Sequence, residues 1–325
     1  MDSPAKIPYS RLRYMPQPLK PPALRSGDVV RILSLSSPVE EERVTKGSDE
    51  LAALGYKVKL DSASVLARHG FFAGPVEERI GALKSAISES GTRAIFCARG
   101  GYGSNYLLDA LSVALASPKI FCGFSDITSL HVFLWQKFRW VTIHGPMVAA
   151  GLDRGAGAPD GYDRESLVRS LTESKQGWSL DLQGETLTPG VAEGTLLGGC
   201  LNLVEATLGT PWELDTIGSI LILEDRAMKP WQVDRALMHL KQAGKFRGVV
   251  GVILGEFPES NPPAGTATVK EVAQRILGPL EIPIAWGVPV GHTPRPMLTL
   301  PLGVRARLST DGSTKLDILE PACST

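Results

Sequence analysis

The run KIFCGFSDITSLHVFLWQKF, residues 119–138, moves from a short apolar stretch through GFSDIT into a helical pattern, with a lone serine at the seam. A fully apolar run of four or five residues bounded by glycine reads as a buried strand, and the longer run behind it reads as a helix. Ser125 at that junction has two readings. It can cap the helix, its hydroxyl accepting from a free backbone N–H of the first turn. It can instead be a nucleophile exposed by a tight strand-to-helix turn and backed by amides able to stabilise an oxyanion. The hexapeptide alone favours the cap, since caps are far commoner than nucleophiles.

The same alternation runs outward on both sides. Upstream lie the strand-like VVRILSL (29–35), the helical EEERVTKGSDELAAL, the strand-like KVKLD, the helical VEERIGALKSAI, the strand-like RAIFCAR and a helix expected over SNYLLDALS. Near-continuous apolar strands alternating with helices predict a doubly wound parallel sheet covered on both faces, an α/β fold. Ligands of such sheets bind at the carboxyl ends of the strands, where both RGGYG (99–103) and GFSD (123–126) fall. Between about 151 and 190 the pattern gives way to GLDRGAGAPDGYDR and QGETLTPG, which read as a junction. The expected layout is therefore a lead-in over 1–25, an α/β domain over 26–150, the junction over 151–190 and a mixed α/β domain over 191–325, with a cleft between the domains. The second unit closes on the hairpin VRARLSTDGSTKLDIL, turning at Asp311-Gly312.

Composition narrows the partners. The 325 residues carry 34 Lys+Arg against 34 Asp+Glu, so there is no electrostatic footprint for nucleic acid or an anionic membrane. Cys97, Cys122, Cys200 and Cys323 form no CxxC pair and read as reduced, buried small hydrophobes. The first 25 residues hold no apolar h-region, so a cytoplasmic location is expected. No histidine pair has zincin spacing, and no metal or other cofactor is expected.

A hydroxyl nucleophile needs a base, and the base needs an acid to set its tautomer. His69, His131 and His239 lie in or beside helical patterns and read as structural. His144, in TIHGPM, ends an apolar run and is a candidate for the cleft lining. His292, in VPVGHTP, sits in a loop just past a strand and is the best base. Glu224 and Asp225 end the strand SILILED as its only charges; either could orient a histidine or mark the return to solvent. Arg99 and the glycines after it are the nearest candidates for a substrate carboxylate, set against a purely structural pairing and a tight turn.

Six blocks in order, RGGYG (99–103), GFSDIT (123–128), IHGPM (143–147), GTLLGGCLNLVEATLGTPWE (194–213), LILED (221–225) and VGHT (290–293), resemble the signature of the LD-carboxypeptidase family of serine peptidases, which includes immunity hydrolases for peptide–nucleotide antibiotics. The resemblance implies a Ser125–Glu224–His292 triad and an oxyanion hole from the backbone N–H groups of Asp126 and Gly101. Arg99, Gly100, Tyr102 and His144 are then expected at the substrate. It further implies a homodimer acting on the L,D-bond to the terminal D-alanine of murein tetrapeptides. Within the same resemblance, a peptidyl- or aminoacyl-nucleotide is the alternative substrate. A non-catalytic two-lobed binding protein is the rival from another class, and an α/β-hydrolase esterase ranks last because GFSDI lacks the second glycine of GxSxG. The chain departs from the family pattern at Cys200, where GGN is usual, and at Met228 and Trp231 after LED.

Overall fold

The computed structural model describes residues 17–111 and 117–325; residues 1–16 of the lead-in lie outside that range. The chain is mixed α/β, built on two sheets. In chain order the strands are β1 (Val29–Leu33), β2 (Lys57–Lys59), β3 (Thr92–Cys97), β4 (Ile120–Gly123), β5 (Thr142–His144), β6 (Trp178–Asp181) and β7 (Glu185–Thr188). They continue as β8 (Val191–Cys200), β9 (Ser219–Glu224), β10 (Gly251–Leu254), β11 (Ile284–Trp286), β12 (Leu300–Leu302), β13 (Arg305–Ser309) and β14 (Lys315–Ile318).

The first sheet has the order β12-β5-β4-β3-β1-β2 and is parallel except at one edge, where β12 runs antiparallel to β5. That edge corrects the expectation of an all-parallel sheet. Three residues, LPL, with proline in the middle are too short for a sequence signal, and an edge strand is where proline is tolerated. The second sheet, β6-β14-β13-β8-β9-β10-β11-β7, has parallel strands at its centre and antiparallel ones on both flanks. The stretch 151–190 contains β6, β7 and the helix Arg164–Thr172. The helix begins at Asp163, whose side chain accepts from the Ser166 N–H, a local cap inside a Gly- and Asp-rich segment. SNYLLDALS forms two 3₁₀ turns, Ser104–Leu107 and Asp109–Leu111, and not the single helix expected; Ser112 falls outside the described residues.

The helix Thr128–Phe138 packs against β5 of one sheet and β8 of the other. Lying between two sheets, it is buried on every side from Thr128 to Trp135, which is why its sequence lacks a polar face. It ends at Arg139, in the left-handed conformation. One apolar core runs through both sheets, joining Val30, Phe96 and Ile143 to Leu196, Ile222 and Ile253. At roughly 1.5–3 kcal/mol for each fully buried large apolar side chain, this continuity is what holds the two halves in register. As a result the loops after β3, β4, β9 and β11 meet along one cleft.

Candidate active site

Ser125 lies two residues past the end of β4 and adopts φ 63°. A left-handed non-glycine residue costs on the order of 1–3 kcal/mol and persists where surrounding structure imposes it. The hydroxyl does not cap the helix: the 3₁₀ turn Ser125–Ile127 has Phe124 at its N-cap position and no side-chain cap bond. The turn is held from below by Asp126, buried, whose Oδ2 accepts from Ser36 Oγ at 2.6 Å and the Ser104 N–H at 2.8 Å. Ser104 Oγ in turn donates to the Asp126 carbonyl at 2.6 Å. Neither serine was singled out in the sequence, since a partner 22 or 90 residues away leaves no local pattern.

The RGGYG loop lies against this turn. A Cβ on Gly100 would sit 2.8 Å from Ser125 Cβ and 3.3 Å from the Asp126 nitrogen, so only glycine lets the loop approach so closely. Gly101 has φ 109°, and no protein acceptor takes its N–H among the described residues. The loop is clamped from behind by Arg79, which donates to the Leu35 and Gly103 carbonyls at 2.8 and 2.9 Å and lies under the Phe72 ring. Tyr102 is half-exposed and stacks on Phe72.

Glu224 is the last residue of β9 and is wholly buried. Its Oε2 accepts from His292 twice, from the backbone N–H at 2.9 Å and from Nδ1 at 2.8 Å. A carboxylate on Nδ1 fixes the tautomer that leaves Nε2 as the free acceptor. Burial opposes charge on His292, but the Glu224 carboxylate more than offsets it through its charge and hydrogen bond, and the imidazole pKa moves up. For Glu224, burial likewise works against ionisation and is outweighed by His292, so its pKa moves down. Asp225 points elsewhere: its Oδ2 accepts from Cys200 Sγ at 3.3 Å and the Asn202 N–H at 3.0 Å, and burial, then Glu224, push its pKa up. Cys200 thus fills its unusual position as a thiol donor to Asp225.

Two glycines make room for the acid. A Cβ on Gly255 would lie 2.6 Å from Glu224 Cβ, and one on Gly291, at φ +62°, would lie 2.2 Å from Glu224 Cδ. Gly291→Ala is therefore expected to break the Glu224–His292 pair and to lower activity by at least about 100-fold. The check is steady-state kinetics alongside a melting curve; activity within a few-fold of wild type would mean the pair tolerates displacement.

The Phe124 ring lies edge-on to His292, centroids 5.1 Å apart at 75°, bringing the residue before Ser125 onto the histidine. Both border a cavity of about 490 Å³ whose walls also carry Arg43, Arg154, Arg226 and Met297. The three wall arginines were not candidates in the sequence, where nothing separates a cleft arginine from a surface one. Arg99 is half-buried beside them; its Nη1 donates to the Pro38 carbonyl at 3.2 Å, and it has no carboxylate partner among the described residues. Burial, then the neighbouring Arg43, depress its pKa.

His144 departs from expectation. It is fully buried at the end of β5 and is not among the residues that wall this cavity. An apolar run with a terminal histidine looks the same whether its last side chain faces a cleft or a seam between sheets. Glu224 and His292 pair directly, Phe124 before Ser125 packs on His292, and Gly100 lies against Ser125 and the Asp126 nitrogen. Among the described residues no three His, Cys, Asp or Glu side chains converge to hold a metal, and no helix is long and apolar enough to cross a membrane.

Comparison with known proteins agrees with this architecture. Residues 30–145 match the LD-carboxypeptidase N-terminal domain and residues 193–308 the LD-carboxypeptidase C-terminal domain. A Bacillus subtilis (strain 168) protein named a probable murein peptide carboxypeptidase is 33% identical over 300 residues, covering 91% of this chain and 93% of its own. The Escherichia coli microcin C7 self-immunity protein MccF is 28% identical, covering 95% and 98%. Among solved structures, an inactive mutant of MccF in the apo state superposes with a TM-score of 0.84 at 25% identity, over 94% of this chain and all of its own. A muramoyltetrapeptide carboxypeptidase from Oxalobacter formigenes gives 0.78 at 27%, over 91% and 100%. With both halves matched and relatives aligned over nearly their whole length, the chain belongs to the LD-carboxypeptidase family.

Proposed function

We propose that the chain is a serine carboxypeptidase that cleaves the L,D-peptide bond to the terminal D-alanine of murein tetrapeptides, as a cytoplasmic homodimer. The observation that carries this reading is the 2.8 Å Glu224–His292 bond, with Phe124, the residue before the left-handed Ser125, packed on His292. Ser125 Oγ attacks the carbonyl carbon while its proton passes to His292 Nε2, and the N–H groups of Asp126 and Gly101 receive the developing oxyanion. The C–N bond then breaks, the leaving D-alanine amine takes the proton from His292, and the acyl group remains as an ester on Ser125. Water attacks that ester, His292 takes the water's proton and returns it to Ser125, and the shortened peptide leaves.

The deciding assay is incubation with tetrapeptide, pentapeptide and all-L controls, following release of the terminal residue by mass spectrometry. Release of D-alanine from the tetrapeptide alone is expected. The similarity to MccF motivates a second arm, an aminoacyl-nucleotide; preferential cleavage there would transfer the same machinery to that substrate class.

An exopeptidase must recognise a free carboxylate, and a half-buried guanidinium that makes no ion pair among the described residues, with Arg43, Glu40 and Arg226 as its charged surroundings, suits that role. Amidating the substrate C-terminus should lower kcat/KM about 10- to 100-fold, the scale of one hydrogen bond to a charged group. Arg99→Gln should weaken the acid substrate more than the amide. Equal processing of acid and amide by the wild type would leave Arg99 a structural residue and the chain a broader acyl hydrolase.

Catalysis needs neutral His292, and its pKa is raised, so activity should climb with pH through a value above the ordinary 6.5. A kcat/KM profile with its acidic limb at or below that value would contradict the pairing with ionised Glu224.

A further inference from the structure

Glu224 uses one oxygen on His292; the other, Oε1, is buried with no hydrogen-bond partner among the described residues. Beside it both ring nitrogens of His144 and Nδ1 of His131 are buried in the same condition. These atoms share one neighbourhood. The Glu224 carboxylate acts electrostatically on the His144 ring, the His131 and His144 rings lie 6.5 Å apart, and the Phe124 ring lies 6.2 Å from His144 and 5.1 Å from His292. The backbone reinforces the placement, since His144 pairs with Gly123 of β4 two residues before Ser125, and His131 Nε2 bonds the Gly123 carbonyl at 2.8 Å. A buried carboxylate oxygen with no donor is costly, and a water bridging such polar atoms would offset that cost.

We propose that His144 is a positioning residue for the reaction, acting through a water shared with Glu224 Oε1 so that Oε2 stays aligned on His292 Nδ1. Burial holds the His144 ring neutral, below its ordinary pKa despite the pull of Glu224, and a neutral imidazole supplies one donor and one acceptor. With Oε1 held, rotation of the carboxylate away from His292 is resisted from the far side. This role rests on the hydrolase reading of the site.

The test uses the full chain with the tetrapeptide. His144→Phe keeps a ring without nitrogens, and His144→Gln restores a donor and an acceptor. His144→Phe should lower kcat about 10- to 100-fold, the scale of one hydrogen bond to a charged group, with KM nearly unchanged. Its acidic limb should move to lower pH, because a carboxylate that swings off Nδ1 supports the His292 imidazolium less. His144→Gln should recover most of the loss. Any other ranking, including two unaffected variants or two equally impaired ones, overturns the proposal. If either variant fails to fold, ¹⁵N-histidine NMR of Ser125→Ala protein decides: the His144 signals should report a neutral ring throughout and should shift on adding Glu224→Gln. Unmoved His144 signals overturn the proposal. That readout needs no turnover, so its failure is distinct from failure of the hydrolase reading, which would appear as a wild type that releases no terminal residue.

Discussion

Ser125→Ala should reduce kcat/KM for the tetrapeptide by on the order of 10⁴- to 10⁶-fold, the range seen when the nucleophile of a serine triad is removed. The fold should survive, because the hydroxyl neither caps a helix nor holds the turn; that work falls to Asp126 with Ser36 and Ser104. Removing a side chain from a φ 63° residue also leaves a conformation that alanine tolerates poorly, so a small drop in melting temperature is expected. Adding His292→Ala should cost little beyond the single change, since nucleophile and base act as a unit. Additive losses would show that the two residues contribute separately, and residual activity near wild type would remove Ser125 from the chemistry.

Glu224→Gln should cost about 10⁴-fold in kcat, because an amide can donate to Nδ1 and hold the imidazole in the tautomer whose Nε2 already bears a proton. The acidic limb of the rate profile should move down in pH as the negative charge that supports imidazolium is lost. Here the comparison with Asp225→Asn is decisive. Asp225 accepts from Cys200, Asn202 and Arg226 and makes no bond to His292, so its amide variant should stay within about tenfold of wild type. The reverse ranking would reassign the acid to Asp225.

The pair LED illustrates how sequence and structure divide the work. Two adjacent acids at a strand end are equivalent on paper, and period-two alternation says only that they face opposite ways. Which one meets His292 depends on Gly255 and Gly291, glycines 31 and 67 residues further on that clear the space on one side of β9. The same holds for the arginines. Arg99 was visible because a glycine loop follows it, whereas Arg43, Arg154 and Arg226 reach the cavity from an α-helix, a 3₁₀ turn and a loop with no shared spacing.

By itself the sequence determined the elements and their class. Uniformly apolar strands before glycine-containing loops dictate a covered parallel sheet, because backbone and side chains buried on both faces leave no place for polar residues. It also determined the location of Ser125, Glu224 and His292 at strand ends, where side chains emerge from a sheet into a cleft. Only the tertiary structure decided that β12 crosses back to the first sheet, that SNYLLDALS folds as two tight turns, and that His144 is fully buried. Each of these depends on contacts between residues far apart in the chain, whose energies are set by packing and by which buried polar atoms find partners, and local pattern carries no record of either.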